Sequence, residues 1–182
     1  MKIEIREAIQ ADARLVAYAV LRALDMGMEE MERFVVSCSD ENAMYSWKDS
    51  FVAEVDGKPA GCLIAYEGSR YKALRERTWP RLWLDMSEDE LENVEIEAFP
   101  GEYFLDSLAI LPEFRGHDIG KRLLQAALDK GRRLGCHSAT LMVDVNKPKL
   151  CAYYQSMGFG EYGLIDFFGH TYKRMKVDYD VK

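Results

Sequence analysis

Residues 115–120, Arg-Gly-His-Asp-Ile-Gly, set two glycines around the entrance to an amphipathic segment, and that arrangement suits an anion. A turn feeding a helix N-terminus leaves backbone N–H groups unpaired beside the positive end of the helix dipole. A phosphate or pyrophosphate is the expected guest. Other patterns offer less. His117, His137 and His170 make no His-x3-His or Cys/His ligand spacing, so no metal site is expected. Cys136 and His137 are adjacent like a nucleophile and its base, but in extended backbone neighbouring side chains point to opposite faces. The chain lacks a Gly-x4-Gly-Lys-Ser/Thr loop, which argues against an ATP-type cradle.

Something must hold that turn. Residues 103–110 (YFLDSLAI) are apolar and β-favouring, Pro112 opens a short turn, and a helix is expected over 118–134. In that helix Ile119, Leu123, Leu124, Ala127, Leu128 and Leu134 face a core, and Gly135 stops it. Ala139, Leu141, Val143 and Val145 then alternate as one face of a strand, so strand, helix and strand form a right-handed parallel crossover. A short helix from Pro148 carries Leu150, Tyr153, Tyr154 and Met157 on one face, before Gly158. The segment 159–181 divides near Gly169 into two antiparallel strands.

Upstream, residues 2–6 read as a strand and 11–24 as a helix with Leu15, Tyr18, Ala19 and Arg22 along one stripe, Val16, Val20 and Leu24 beside it, and Asp12 in its first turn. Residues 26–50 suggest two short helices. Asp56-Gly57 joins strands 51–55 and 59–66 in a hairpin. Residues 69–83 carry five basic side chains against one acid, and residues 84–102 carry eight acids and no base. A solvated helix followed by an acidic loop is one reading. The other is a lid or acceptor wall whose carboxylates attract a cation, with Tyr71, Trp79, Trp83 and Phe99 as its apolar surface.

With 182 residues, one α/β domain over 1–182 is expected, built on a mixed sheet of about six to seven strands flanked by helices. A net charge of −7 argues against nucleic-acid binding. Neither a long apolar run nor a signal-peptide core is present, so no membrane partner and a cytoplasmic location are expected. Cys38, Cys62, Cys136 and Cys151 are widely spaced and read as core fillers without disulfides.

The order of these signals resembles the GNAT superfamily of acetyl-CoA-dependent N-acetyltransferases over nearly the whole chain. LAILPEFRGHDIGKRLL carries the stronger match and VNKPKLCAYYQSMGF the second. The resemblance implies a GNAT-like fold, acetyl-CoA as cosubstrate and an amine acceptor, with a homodimer as one arrangement. It places the acyl thioester and pantetheine arm beside Leu108, Ala109 and Ile110. The loop Arg115, Gly116, His117, Asp118, Ile119 and Gly120 falls around the pyrophosphate, and Asn146 falls on the pantetheine arm. Tyr154 matches the tyrosine that protonates the departing thiolate; by its spacing alone it reads as a core aromatic. Asp118 stands where the family usually has glycine and is expected to point outward. The Asn146–Tyr154 spacing is one residue longer than in many members, and Asp144 is the fallback.

Transfer to an amine needs an uncharged nitrogen, whereas an alkylammonium has a pKa near 10.4, so a carboxylate is expected to take its proton. Strand parity puts Phe104, Asp106 and Leu108 on one face. Asp106 is the favoured base, with Glu102, Glu97 or a water chain as alternatives. A structural carboxylate bonded to Ser107 or a neighbouring strand is an equally good reading of Asp106. A backbone N–H near 108–110 would stabilise the oxyanion. The expected function is acetyl transfer from acetyl-CoA to a primary amine of a small molecule or peptide, with a cationic acceptor favoured by the acidic segment. The alternative is a CoA-binding sensor or partner module that keeps the fold with little catalysis.

Overall fold

The structure, a computed structural model, describes residues 1–179. Seven strands form one sheet: β1 (Ile3–Glu7), β2 (Ser50–Val55), β3 (Lys58–Glu67), β4 (Glu102–Ile110), β5 (Ser138–Asp144), β6 (Gly160–Phe167) and β7 (His170–Asp178). Their order is β1-β2-β3-β4-β5-β7-β6, and every neighbouring pair is antiparallel except β4 with β5. The expected last strand runs to Val181, which lies outside the described residues.

Six helices cover the two faces: α1 (Ala13–Ala23), α2 (Met31–Cys38), α3 (Tyr71–Leu82), α4 (Glu88–Glu92), α5 (Ile119–Arg133) and α6 (Pro148–Ser156). One apolar cluster joins α1, α2 and α3 to Cys62, Ile64, Tyr66, Phe104 and Ala109. The other joins α5 and α6 to Leu63, Ala65, Leu105 and Leu141. Strand alternation divides these residues between the two faces, and each face buries enough apolar surface to hold its helices. All four cysteines are free and buried.

Several local expectations are corrected. On α1 the buried face is centred on Val16, Ala17 and Val20, while Arg22 is exposed. Asp12 stands at the start of that helix, as expected, and its carboxylate takes two hydrogen bonds from Arg6, at 2.7 and 3.1 Å, and one from the Ile9 N–H at 2.8 Å. The second helix expected before residue 50 is only a 3-10 turn over Trp47–Asp49. There the Met44 N–H donates sideways to Thr78 Oγ1 at 2.8 Å instead of along a helix. Leu134 and Val145 are exposed because each lies just past the end of its element. Leu150 and Tyr153 are also more exposed than a core-facing stripe implies.

The largest correction is a bulge. The β3–β4 register slips between Ile64 and Ala65, which pair with Ser107 and Leu105, leaving Asp106 as the extra residue. A bulge resets the alternation of the strand that carries it. Phe104 therefore packs with the α1 cluster and Leu108 with the α5 cluster, so Phe104, Asp106 and Leu108 do not share one face.

Candidate active site

β4 and β5 pair only through Glu102–Ser138, Tyr103–Ala139 and Phe104–Thr140. Beyond that point residues 105–110 and 141–144 continue without pairing to each other, β4 held by β3 and β5 by β7. The parallel pair thus opens toward its C-terminal end, where β4 delivers the chain to the turn before α5.

That turn is built mainly from backbone. A 3-10 turn over Pro112–Phe114 follows β4, and Arg115 reaches back to donate from Nε to the Ile110 carbonyl at 3.2 Å. The His117 Nδ1 lies 3.2 Å from the Phe114 carbonyl, and the ring is exposed. Gly116 has φ +83°, and Asp118, immediately before α5, has φ 57° and ψ 16°. The left-handed conformation explains why glycine suits position 118; aspartate is among the few residues that adopt it at modest cost. The Asp118 side chain makes no capping bond and is exposed, while its carbonyl accepts from the Arg122 N–H at 3.1 Å. Ile119 is buried and anchors the helix start. At Gly120 an added Cβ would lie 3.2 Å from the Tyr153 hydroxyl, so α5 and α6 approach closely there.

Beside this opening, on the α1 side of the sheet, lies a group of acids and phenols. Asp106 is half-buried and accepts hydrogen bonds from Tyr66 Oη and from Ser107 Oγ, each at 2.7 Å. Both bonds anticipated for a structural carboxylate are therefore present. Burial pushes its pKa up to about 6, against the opposing effect of those two donors. Glu97 is buried and accepts from Tyr71 Oη at 2.9 Å. Burial and then the neighbouring Asp106 charge push it up to about 8, opposed by Tyr71, Arg75 and Arg174. Glu102 is buried too, but it accepts from the Phe99 N–H at 2.9 Å and from Thr140 Oγ1 at 3.3 Å, as a brace between β4, β5 and the preceding loop.

The segment 84–102 is thus not uniformly solvated. Asp85, Glu88, Asp89, Glu90, Glu92 and Glu95 are exposed, whereas Glu97 and Glu102 turn inward. Two guanidinium groups fix its path: Arg75 donates to the Leu91 and Val94 carbonyls, and Arg174 to those of Ile96 and Glu97. Between α3 and residues 88–100 is a cavity of about 640 Å³ whose lining includes Tyr71, Arg75, Trp79, Leu91 and Phe99. Tyr71 therefore presents its ring to this cavity and its hydroxyl to Glu97.

Tyr154 is buried on α6, edge-on to Phe159 and Tyr153. Burial and then its neighbour Tyr153 raise its pKa, which makes it a weaker acid than a free phenol. Asn146 is exposed just past β5, with its N–H bonded to Asp144 Oδ1 at 2.8 Å. Tyr66, Arg75 and Arg174 were not among the sequence candidates. A tyrosine inside an apolar strand and an arginine inside an alternating one carry no signal of the partners they meet across the fold. Among the described residues no group of three or more His, Cys, Asp or Glu is placed to hold a metal, and no helix is long and apolar enough to cross a membrane.

Comparison with known proteins matches this fold. No curated protein sequence matches the chain. Among solved structures, an N-acetyltransferase from Staphylococcus aureus Mu50 superposes with a TM-score of 0.80 at 24% identity, over 96% of this chain and 100% of that one. A structure described only as an acetyltransferase gives 0.74 at 26% identity, over 96% and 98%. The paia N-acetyltransferase from Thermoplasma acidophilum, solved in complex with coenzyme A, gives 0.59 at 16% identity, over 98% and 100%. The sequence model of the Acetyltransferase (GNAT) family matches residues 21–159, most of the chain. With its parted parallel strands and the turn that leads into α5, the chain belongs to the GNAT acetyltransferase family.

Proposed function

We propose that this protein transfers an acetyl group from acetyl-CoA directly to a primary amine within a ternary complex. The observation that carries the reading is the parting of β4 from β5 at the level of Asp106, with the N-terminus of α5 at the same end. The N–H groups of residues 116–120, at the N-terminus of α5, suit the pyrophosphate, with Arg115, Gly116, His117, Asp118, Ile119 and Gly120 around it. The open edge of Leu108, Ala109 and Ile110 suits the amide groups of the pantetheine arm, and Asn146 on the opposite lip serves the same arm.

The acceptor ammonium gives one proton to Asp106. The freed nitrogen pair attacks the thioester carbonyl carbon, forming the C–N bond while the carbonyl electrons move to oxygen. A backbone N–H at 108–110 holds that oxyanion. Collapse breaks the C–S bond, Tyr154 protonates the thiolate, and the second amine proton restores the phenol. Amide, free CoA thiol and one released proton balance the reaction. Because burial weakens Tyr154 as an acid, its transfer must be concerted with C–S cleavage rather than precede it. The exposed acids of 84–102 favour a cationic acceptor, whether a small polyamine or a peptide amine.

A panel of amines assayed for free thiol release tests the reading. Acetyl-CoA stabilises the fold whether the protein is an enzyme or a CoA sensor, but only an enzyme releases thiol in an amine-dependent manner. Tyr154→Phe is expected to slow turnover at least tenfold; an unchanged rate at every pH removes its acid role.

A further inference from the structure

On the side of the sheet opposite α5, a cavity of about 510 Å³ lies between α2 and α3. Its charged lining is three arginines, Arg33 from α2 and Arg77 and Arg81 from α3, against one acid, Asp40. The chain as a whole is acidic, with a net charge of −7. Arg77 and Arg81 stand one turn apart on the same helix, a spacing at which like charges repel. A single oxygen, Asp40 Oδ2, serves them both: it accepts from Arg77 Nη2 at 2.9 Å and Nε at 3.3 Å, and Arg81 Nη1 stands 3.7 Å away. The other oxygen of Asp40 accepts from the Asn42 N–H at 2.9 Å. Arg33 pairs with Glu30 through Nη2, but its Nε is buried with no hydrogen-bond partner among the described residues. Glu41, the next acid along the chain, accepts from Lys48 at 2.7 Å.

Donors therefore outnumber acceptors around this cavity. A guanidinium carries five N–H donors in a planar fork and does not give up its charge. Arg81 makes no hydrogen bond among the described residues, and Arg77 places both of its bonds on one oxygen. The Asn42 N–H and then Arg77 hold Asp40 below the usual carboxylate range, so it is already ionised. With Glu30 included, two carboxylates still face three guanidinium groups. A buried N–H without an acceptor costs free energy that a bound oxyanion recovers. The rest of the lining includes an apolar wall of Leu82 and Val36, the latter 75% exposed. The volume is that of a small-ligand site, larger than an inorganic anion fills.

We propose that the cavity between α2 and α3 binds a small phosphomonoester, its phosphate held by Arg33, Arg77 and Arg81 and its apolar body resting on Val36 and Leu82. Phosphate fits better than a carboxylate because three guanidinium groups from two elements line one cavity. A tetrahedral dianion has enough oxygens to take paired bonds from more than one of them. The site is separate from the turn at 115–120 and stands whether or not that turn binds acetyl-CoA, because the sheet lies between the layer of α2 and α3 and the layer of α5. A ligand that bridges α2 to α3 stabilises the fold by binding only the folded chain.

Calorimetry and thermal unfolding of the whole protein with phenyl phosphate test the site. Binding is expected, weakened by salt and accompanied by a rise in Tm. Inorganic phosphate should bind several-fold more weakly because it leaves the apolar wall uncovered, and phenol should not bind. Arg81→Gln should weaken phenyl phosphate binding about tenfold or more. It should leave the Tm of the unliganded protein unchanged, since Arg81 is exposed and makes no hydrogen bond. Arg33→Gln should weaken binding as much. Arg81→Lys, which keeps the charge and loses the fork, should restore only part of the affinity. Arg132→Gln, an equal change of charge in the last turn of α5, should have no effect. Equal binding by the parent, Arg81→Gln and Arg33→Gln puts the anion elsewhere and overturns the proposal. Inorganic phosphate binding as tightly as phenyl phosphate also overturns it, because the apolar wall then contributes nothing. A phosphoserine peptide that binds through these arginines while phenyl phosphate does not makes the face a protein contact and overturns the small-molecule site.

Discussion

The two sides of the opening are built differently. The side facing the turn at 111–120 is one continuous piece of chain, exposed at 115–118, with its geometry set by backbone conformation at Gly116 and Asp118. The side around Asp106 is assembled from the segment before β2, from β3, α3, the segment before β4, β4 itself and β7. Its parts are side chains meeting through hydrogen bonds, most of them buried. A continuous backbone device can bind a group common to many reactions and tolerate change around it. An assembled pocket depends on several distant residues together, so it is more easily retuned and more easily broken.

The largest effect is expected at the assembled side. Asp106→Asn removes the proposed base and should lower amine-dependent turnover by about 10²–10⁴-fold, while the thermal shift with acetyl-CoA persists because the turn at 111–120 is untouched. Loss of both together would erase the distinction drawn between the two sides.

Gly68→Ala tests how tightly that assembly is held. An added Cβ would run into the Phe99 backbone, which cannot move without disturbing the path from Glu97 to β4. A destabilisation of roughly 2–4 kcal/mol is expected, read as a clear fall in Tm. The same substitution at Gly57 meets no neighbouring atom, so any cost there arises from its φ of +78° alone.

The buried acids predict a pH dependence with a definite sign. Glu97 and Asp106 have folded pKa values above their unfolded ones, so the unfolded chain loses those protons first as pH rises. Their contribution to stability is full below about pH 4, and is lost as pH passes about 6 for Asp106 and about 8 for Glu97. Glu97→Gln should therefore gain in Tm relative to the parent between pH 6 and pH 9.

The smallest effect belongs to the turn. Asp118→Gly removes a negative charge beside the proposed pyrophosphate site and relieves a left-handed residue, a conformation costing about 1 kcal/mol outside glycine. Acetyl-CoA is expected to bind a few-fold more tightly, measured by calorimetry, with a slightly higher Tm. Weaker binding would show that Asp118 serves the donor site rather than merely occupying it.

Much of this was legible from the chain alone. The hairpin at Asp56-Gly57, the crossover from β4 through α5 to β5 and the turn that leads into α5 are local, because periodicity, turn residues and helix signals operate over a few neighbouring positions. Membership of the acetyltransferase family followed from the order of those local signals. The assembled side was less legible. Asp106 was found by chemistry and parity, but the parity argument failed at the bulge, where pairing with β3 resets which face each residue takes. Glu97 was named with Glu102 as an alternative base, but nothing in the spacing of the eight acids in residues 84–102 showed which of them turn inward.

What the sequence determined by itself was the backbone-made half: a strand, a turn with left-handed positions and a helix whose free N–H groups point one way. Only the tertiary structure decided that β4 and β5 part after three pairs, that Arg75 and Arg174 clamp the acidic segment, and that Glu97 turns inward to Tyr71 while the acids of 85–95 stay exposed. The physical reason is range. Backbone conformation is set by adjacent residues, whereas the burial and charge that shape a carboxyl's proton affinity come from side chains brought together by the whole fold.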